Sequence, residues 1–181
     1  MTPSFLRSQQ GDAGIVIDYR NWQLALGRRF RSIKLWFVLR NYGVQGFRKH
    51  IRKGVKLAQE FEWLVRGSRL FELATPRSLG LVVFRLVVPA SEVSEPPSRE
   101  TLNGLNLALH RYITHPSDPA DALFITCTEL NGDVCLRMAI GAERTTEMHV
   151  RKAMDTLERV GKYILKEAGY IIGLGIDVSA G

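Results

Sequence analysis

One arginine lies in a sequence pattern that could bind an anion. Residues 134–140 alternate between apolar and other side chains, so a strand would place Leu136 on its apolar face and Arg137 on the opposite face. The neighbours of Arg137 on that face are the small residues Cys135 and Ala139. A long cation among small side chains could receive a ligand carboxylate. The same pattern is also typical of an exposed edge-strand arginine, or of one paired with a neighbouring carboxylate.

Two other basic features favour different interpretations. Arg85 lies in the apolar run 81–88, where a structural arginine paired with a carboxylate is the better interpretation. Residues 28–31, near Lys34 and Trp36, interleave cations with aromatic rings, as phosphate contacts and base stacking require. No zinc-finger spacing, RNA-recognition signature or helix-turn-helix pattern accompanies them, so we predict no nucleic-acid partner.

The sequence contains no motif for a metal site or an activated nucleophile. It has no Gly-x-Ser-x-Gly elbow, phosphate-binding loop or dinucleotide fingerprint. The histidines stand singly, without a cysteine or carboxylate at ligand spacing: His50, His110, His115 and His149. We therefore predict no metal.

The composition is that of a globular protein whose first third is strongly basic. Of 181 residues, 45% are hydrophobic, enough for a core. Because no apolar run of membrane-spanning length and no signal pattern occurs, we expect no membrane partner and a cytoplasmic protein, in which Cys127 and Cys135 are free thiols. Residues 1–66 carry 13 basic and 4 acidic side chains. This charge could serve nucleic acid, a membrane surface or an acidic partner, or form a solvated helix face.

The first part of the chain predicts an arm followed by helix. Residues 1–31 lack periodicity and predict an irregular arm. Helices are expected over 32–39 and 44–65. The second has apolar residues at three- and four-residue steps, which predict one buried stripe: Val44, Phe47, Ile51, Val55, Ala58, Phe61 and Val65.

The remainder predicts an α+β domain. Its elements are expected in this order: strands 70–74 and 81–88, a helix capped by Ser98, strands 122–130 and 134–141, and a helix over 146–168. The Asn131-Gly132 pair favours a type I′ turn, which makes the last two strands the clearest hairpin. This order predicts a mostly antiparallel sheet with helices on one face.

The run Asp18–Gly43 (DYRNWQLALGRRFRSIKLWFVLRNYG) resembles the group II pyridoxal-phosphate-dependent decarboxylases, whose aromatic amino acid members carry nearly this string. Similar segments follow downstream, to about residue 168: Phe71-Glu72, Gly80–Leu86, Leu136–Ile140 and Arg144-Thr145. The tail from Gly169 lies outside the resemblance.

The resemblance implies a particular place in the fold of type I pyridoxal-phosphate enzymes. Residues 67–181 would be the small carboxy-terminal α+β domain, and residues 1–66 the end of the large domain, with an arm and a long connecting helix. In the family the arm packs at the interface of a homodimer. The implied cofactor is pyridoxal 5'-phosphate, and the implied substrate is an aromatic amino acid.

The family's cofactor residues have no counterpart in this sequence. The lysine that binds the cofactor, the acidic partner of the ring nitrogen, the phosphate-binding loop and the ring-stacking histidine all belong upstream of the matching region. None of the lysines in the first third of the sequence stands in a matching motif: Lys34, Lys49, Lys53 and Lys56. Because the reaction needs the cofactor ring as electron sink, we expect the chain alone to have no catalytic or cofactor-binding residue and to be catalytically incomplete.

Three ancillary residues do have counterparts. Arg137 matches an arginine that binds the substrate carboxylate in glutamate-decarboxylating relatives, which implies a substrate-facing role. Leu26 and Gly27 match a stretch that lines the pocket of the other subunit. Glycine rather than serine at position 27 is similar to the aromatic-substrate members, since it leaves space for a large ring.

Two functions follow from the resemblance. The chain is either the carboxy-terminal portion of an aromatic-L-amino-acid decarboxylase, or a non-catalytic interaction module that docks on a full-length or complementary decarboxylase chain. An exposed arm and an uncovered apolar surface would favour the module.

Overall fold

The computed structural model describes residues 30–92, 95–116, 118–119 and 122–170. The chain divides into two compact units, Met1–Gly43 and Val44–Gly181. Helix α1 (Ser32–Gly67) contains the division, because Gly43 interrupts it with φ 61° and ψ 175°, a conformation that is essentially confined to glycine. The predicted helices over 32–39 and 44–65 are both confirmed. The predicted domain boundary between residues 66 and 67 stays a prediction.

The described part of the first unit is a helical segment with an exposed apolar surface. The Trp36 and Phe37 rings meet edge to face with centroids 5.1 Å apart, and the Arg40 guanidinium lies 5.9 Å from the centre of the Trp36 ring. Six apolar side chains are between 44% and 60% exposed: Ile33, Leu35, Trp36, Phe37, Val38 and Leu39. A contiguous apolar surface of this kind is typical of a segment that packs against another protein surface.

The second unit contains a four-stranded antiparallel sheet in the order β1-β2-β4-β3. Its strands are β1 (Phe71–Leu73), β2 (Leu81–Leu86), β3 (Thr126–Leu130) and β4 (Asp133–Ala139). Between β3 and β4, Asn131 and Gly132 have φ values of 53° and 88°, as the predicted type I′ turn requires.

Two further helices and a short turn complete the unit. They are a 3-10 turn (Ala90–Glu92), α2 (Arg99–Thr114) and α3 (Glu147–Glu167). Ser98 caps α2 by accepting a hydrogen bond from the Thr101 amide, as predicted.

The helices share one core with one face of the sheet. Phe84 of β2 is fully buried, and its ring meets Phe61 of α1 and Phe71 of β1 edge to face, at centroid distances of 5.3 and 5.7 Å. Each helix adds a buried stripe to this cluster, including Leu109 from α2 and Leu157 from α3. The predicted α+β fold with helices on one face of an antiparallel sheet is therefore confirmed.

The buried stripe of α1 is shorter than the sequence predicts. Ala58, Phe61 and Val65 are buried, but Val44 is 67% exposed and Ile51 is 56% exposed. The prediction was wrong for these two residues because periodicity identifies the apolar side of a helix but not how much of its length the core covers.

A buried asparagine joins α2 to the sheet. The Asn106 side chain accepts a hydrogen bond from the Leu86 amide at 2.8 Å, and donates to the carbonyls of Leu86 and Leu102 at 3.0 and 2.9 Å. It is only 1% exposed. Because its polar atoms are paired, its burial fixes the position of α2 along β2 instead of destabilising the core.

We predict that Asn106→Leu lowers the free energy of unfolding by about 1–3 kcal/mol, because the Leu86 backbone groups would lose a buried partner. Urea unfolding followed by circular dichroism measures the change. Asn41→Leu, at an exposed position of α1, is the control and should leave stability nearly unchanged. Equal stability of the two variants would contradict an anchoring role for Asn106.

Glycine at position 80 allows a close approach of two backbones. Ile140 donates its amide to the Gly80 carbonyl at 2.8 Å, and a Cβ at residue 80 would lie 2.7 Å from the Ile140 oxygen. We predict that Gly80→Ala costs about 1–3 kcal/mol of stability, since the backbone must move. Gly104→Ala in α2, where a Cβ meets nothing within 4 Å, should instead stabilise by up to about 1 kcal/mol. Urea unfolding of both variants tests these predictions. An unchanged free energy of unfolding in Gly80→Ala would refute the close contact.

Candidate functional site

Arg137 lies on an inner strand and points away from the helices. It is exposed, whereas its neighbour Leu136 is fully buried in the core. In the register of the sheet, Arg137 lies opposite Val83 of β2 and Thr126 of β3. The alternation predicted for this strand is confirmed. The interpretation of Arg137 as an edge-strand residue is wrong, because β4 has a strand on each side.

The other arginine of this face is fully engaged. Arg85 pairs with Glu72 at 2.5 Å and with Asp133 at 3.0 Å, and Asp133 also pairs with Arg99 at 3.2 Å. Burial acts to lower the pKa of Arg85, but the hydrogen bond and charge of Glu72, with the charge of Asp133, raise it overall. The predicted structural role of Arg85 is confirmed, so this side chain is not free to take up a ligand anion.

A polar cavity of about 310 Å³ lies beside this network. Its lining comes from β1, β2 and the β3–β4 hairpin and includes Glu72, Arg85, Asp133 and Cys135. Cys135 is 1% exposed, and burial raises the pKa of its thiol even though Arg85 acts in the opposite direction. With two carboxylates against one arginine, this cavity is a poor receptor for an anion.

Arg137 is therefore the better anion receptor of this face. In the described part of the chain, no carboxylate lies within ion-pair distance of it. Among those residues, Arg137 therefore has no carboxylate partner, and the interpretation as a paired arginine is not supported. Its guanidinium can form two parallel hydrogen bonds with one carboxylate.

The residues beside Arg137 could not be found from sequence. Val83 lies 54 positions before Arg137 in the sequence, and Thr126 lies 11 positions before it. Only the pairing of the strands places both residues beside Arg137. No motif marks either residue. The other predicted site residues, Leu26 and Gly27, lie outside the described residues.

The lysines of this chain do not fit a pyridoxal-phosphate site among the residues that the structure describes. All its lysines lie in described segments, and every one is exposed: Lys34, Lys49, Lys53, Lys56, Lys152, Lys162 and Lys166. Three of them line a groove on α1 whose lining has no carboxylate to pair with the ring nitrogen. A covalently held cofactor needs a shielded lysine and that acidic partner, so these residues do not fit the group.

Neither a candidate metal site nor a membrane-spanning helix occurs among the described residues. No cluster of three or more His, Cys, Asp or Glu side chains in those segments could hold a metal ion. Among the same residues, no helix combines the length and apolar character needed to cross a bilayer.

Known proteins resemble this chain over most of its length. Residues 1–87 match the family model described as the pyridoxal-dependent decarboxylase conserved domain. A phenylacetaldehyde synthase from Arabidopsis thaliana is 41% identical over 165 residues, which cover 90% of this chain and 31% of that protein. An aromatic-L-amino-acid decarboxylase from Catharanthus roseus is 38% identical over 167 residues, which cover 92% of this chain and 31% of that protein.

A solved structure has the same fold. The crystal structure of Oryza sativa TDC with PLP and tryptamine matches with a TM-score of 0.66 and 33% identity, covering 91% of this chain and 32% of that one. The chain thus spans about a third of the length of the relatives it matches. The family's enzymes are lyases that use pyridoxal phosphate. By its sequence match over residues 1–87 and by its fold, the chain resembles the pyridoxal-dependent decarboxylase family.

Proposed function

We propose that this chain is the carboxy-terminal portion of an aromatic-L-amino-acid decarboxylase and is catalytically inactive alone. The observation that carries the proposal is the exposure of every lysine in a chain of this family. The cofactor residues would come from the part of the family's fold that this chain does not match. Its own contribution is a folded domain that completes the substrate pocket. A cytoplasmic location is part of the proposal, and the free thiols Cys127 and Cys135 support it.

The proposed substrate is an aromatic L-amino acid. Relatives of similar identity include both a decarboxylase named for aromatic amino acids and a phenylacetaldehyde synthase. Both names indicate a compound with an aromatic side chain. They therefore support the aromatic substrate class but do not select one product. Glycine at position 27 is compatible with a large substrate ring, because glycine has no side chain to occupy the space.

Arg137 is proposed to bind the substrate carboxylate. It is exposed, it stands on an inner strand of a rigid sheet, and no described carboxylate neutralises it. An arginine without a carboxylate partner in the protein can bind a substrate carboxylate through paired hydrogen bonds, because no existing ion pair has to be broken first. Leu26 and Gly27 are proposed to line the pocket of a second subunit in a homodimer.

A second candidate function is an interaction module that docks on a full-length or complementary decarboxylase chain. The exposed apolar side chains of the first unit favour it, because Ile33, Trp36 and Phe37 are each more than 40% exposed. Docking would cover this surface without requiring Arg137 to contact substrate.

The two functions differ in their dependence on Arg137. We would combine this chain with the portion of the Catharanthus roseus relative that it does not match, and measure carbon dioxide release from L-tryptophan. Restored activity is expected. Arg137→Gln should then raise KM by about tenfold or more, since removing one partner of a charged hydrogen bond commonly costs 1.5–3 kcal/mol.

Arg111→Gln is the matched control, because Arg111 is exposed on α2 and far from β4 in sequence. Its activity should equal that of the unsubstituted chain. Restored activity with no effect of Arg137→Gln would contradict the substrate-binding role and favour the docking module. A mixture that forms no complex and has no activity would refute both candidates.

A further inference from the structure

A stripe of cations runs along α1 within the second unit. Five side chains form this basic stripe, and all are exposed: Arg48, Lys49, Arg52, Lys53 and Lys56. Together with Gln45 they line an open groove of about 560 Å³. Their spacing of three and four residues keeps them on one side of the helix, over a length of about 12 Å at 1.5 Å per residue.

The charge of the basic stripe is not compensated locally. The sequence has no aspartate or glutamate from residue 19 to residue 59. In the described segments, no carboxylate lies within ion-pair distance of any of the five cations. The Lys53 ammonium group donates to the backbone carbonyl of Glu143 at 2.6 Å, which leaves its charge unpaired.

The arrangement is unfavourable for an isolated helix. Arg48 with Arg52, Lys49 with Lys53, and Arg52 with Lys56 are like charges four residues apart, and such pairs repel. Some other cations of the same unit are paired, as Arg85 is with Glu72 and Arg151 is with Glu60. An acidic partner that binds the basic stripe would remove the repulsion.

Apolar side chains border the basic stripe on one side. Val44 and Ile51 are 67% and 56% exposed, and at 100° per residue they fall next to Arg48 around the helix. A partner that covers the stripe and this border can therefore bury apolar area as well as pair charges. This combination distinguishes a protein segment from a nucleic-acid backbone, which has no apolar group to place against Val44 and Ile51.

The opposite side of α1 argues against a membrane surface. A helix that lies in the membrane interface inserts its apolar face into the lipid. Leu57, Ala58 and Phe61 of that face are buried in the core of the unit, and Val44 and Ile51 are exposed beside the basic stripe. Within this unit, the apolar area beside the basic stripe that could enter lipid is therefore limited to that border.

From this pattern we infer that the basic stripe binds an acidic helical segment of a partner protein. Such a segment would carry carboxylates at three- and four-residue spacing, with apolar side chains along one edge to cover Val44 and Ile51. The occupant is identified by charge complementarity and by the apolar border. The inference concerns α1 and does not depend on the proposed substrate role of Arg137.

The test measures binding of a synthetic peptide to the full 181-residue chain. The probe is a fluorescein-labelled helical peptide of about 18 residues, with glutamates four residues apart and leucines along one edge, followed by fluorescence anisotropy. We expect saturable binding that weakens as salt is raised, because the contacts are exposed ion pairs. The triple variant Arg48→Gln, Arg52→Gln, Lys56→Gln should bind about tenfold more weakly or worse.

A triple variant of equal charge change is the control. Lys152→Gln, Lys162→Gln and Lys166→Gln remove three exposed cations from α3 and should leave the affinity within about twofold, since long-range charge effects are screened. The double variant Val44→Ser, Ile51→Ser should weaken peptide binding severalfold without changing the salt dependence. Circular dichroism confirms that each variant keeps its helices.

Other outcomes would overturn the inference. Equal loss of affinity in the two triple variants would mean that net charge, and not the basic stripe, attracts the peptide. Tighter binding of a 16-base-pair DNA duplex, or of phosphatidylserine vesicles, than of the peptide would assign the basic stripe to a different class of partner. Unsaturable peptide binding would mean that no site exists.

Discussion

The second unit depends on the contact of Phe84 with Phe61 and Phe71. These edge-to-face rings join β2 to α1 and to β1 in the centre of the core. Burial of each ring contributes about 1.5–3 kcal/mol, and the aromatic pairs add to it. Since β2 also pairs with β4, the contact fixes the strand on which Arg137 stands.

All three helices pack on one face, which leaves the other face of the sheet, here called the open face, without a helix, although Val83 and Cys135 on that face are buried. On the packed face, Phe84 and Leu136 exclude water, and Asn106 sets the position of α2. On the open face, Arg85 is neutralised by its carboxylate partners, and Arg137 remains exposed. The fold thus presents Arg137 on a face without helices, and the relatives that the chain matches are about three times as long as this chain.

Much of this architecture could be predicted from the sequence. The strands and helices follow from apolar periodicity, the hairpin from Asn131-Gly132, and the helix start from Ser98, because each signal is local. The helix predicted over 146–168 is observed as Glu147–Glu167, since its apolar periodicity runs along its whole length.

Features that depend on distant residues were not predictable in this way. The exposure of Val44 and Ile51 depends on where the core ends, and the pairing of Asn106 with Leu86 depends on how α2 lies against β2. The positions of Val83 and Thr126 beside Arg137 likewise depend on the strand register. The predicted roles of Leu26, Gly27 and Arg137 remain proposals, because they concern a pocket that requires more than these residues.

By the proposed function, this chain has no specific pyridoxal-phosphate site when it is alone. The most direct measurement is to incubate the chain with equimolar pyridoxal phosphate, reduce with borohydride and map the modified lysines by mass spectrometry. We predict sparse labelling spread over several exposed lysines, with no carbon dioxide release from L-tryptophan. Stoichiometric labelling of one lysine, together with carbon dioxide release above that caused by free cofactor, would contradict it.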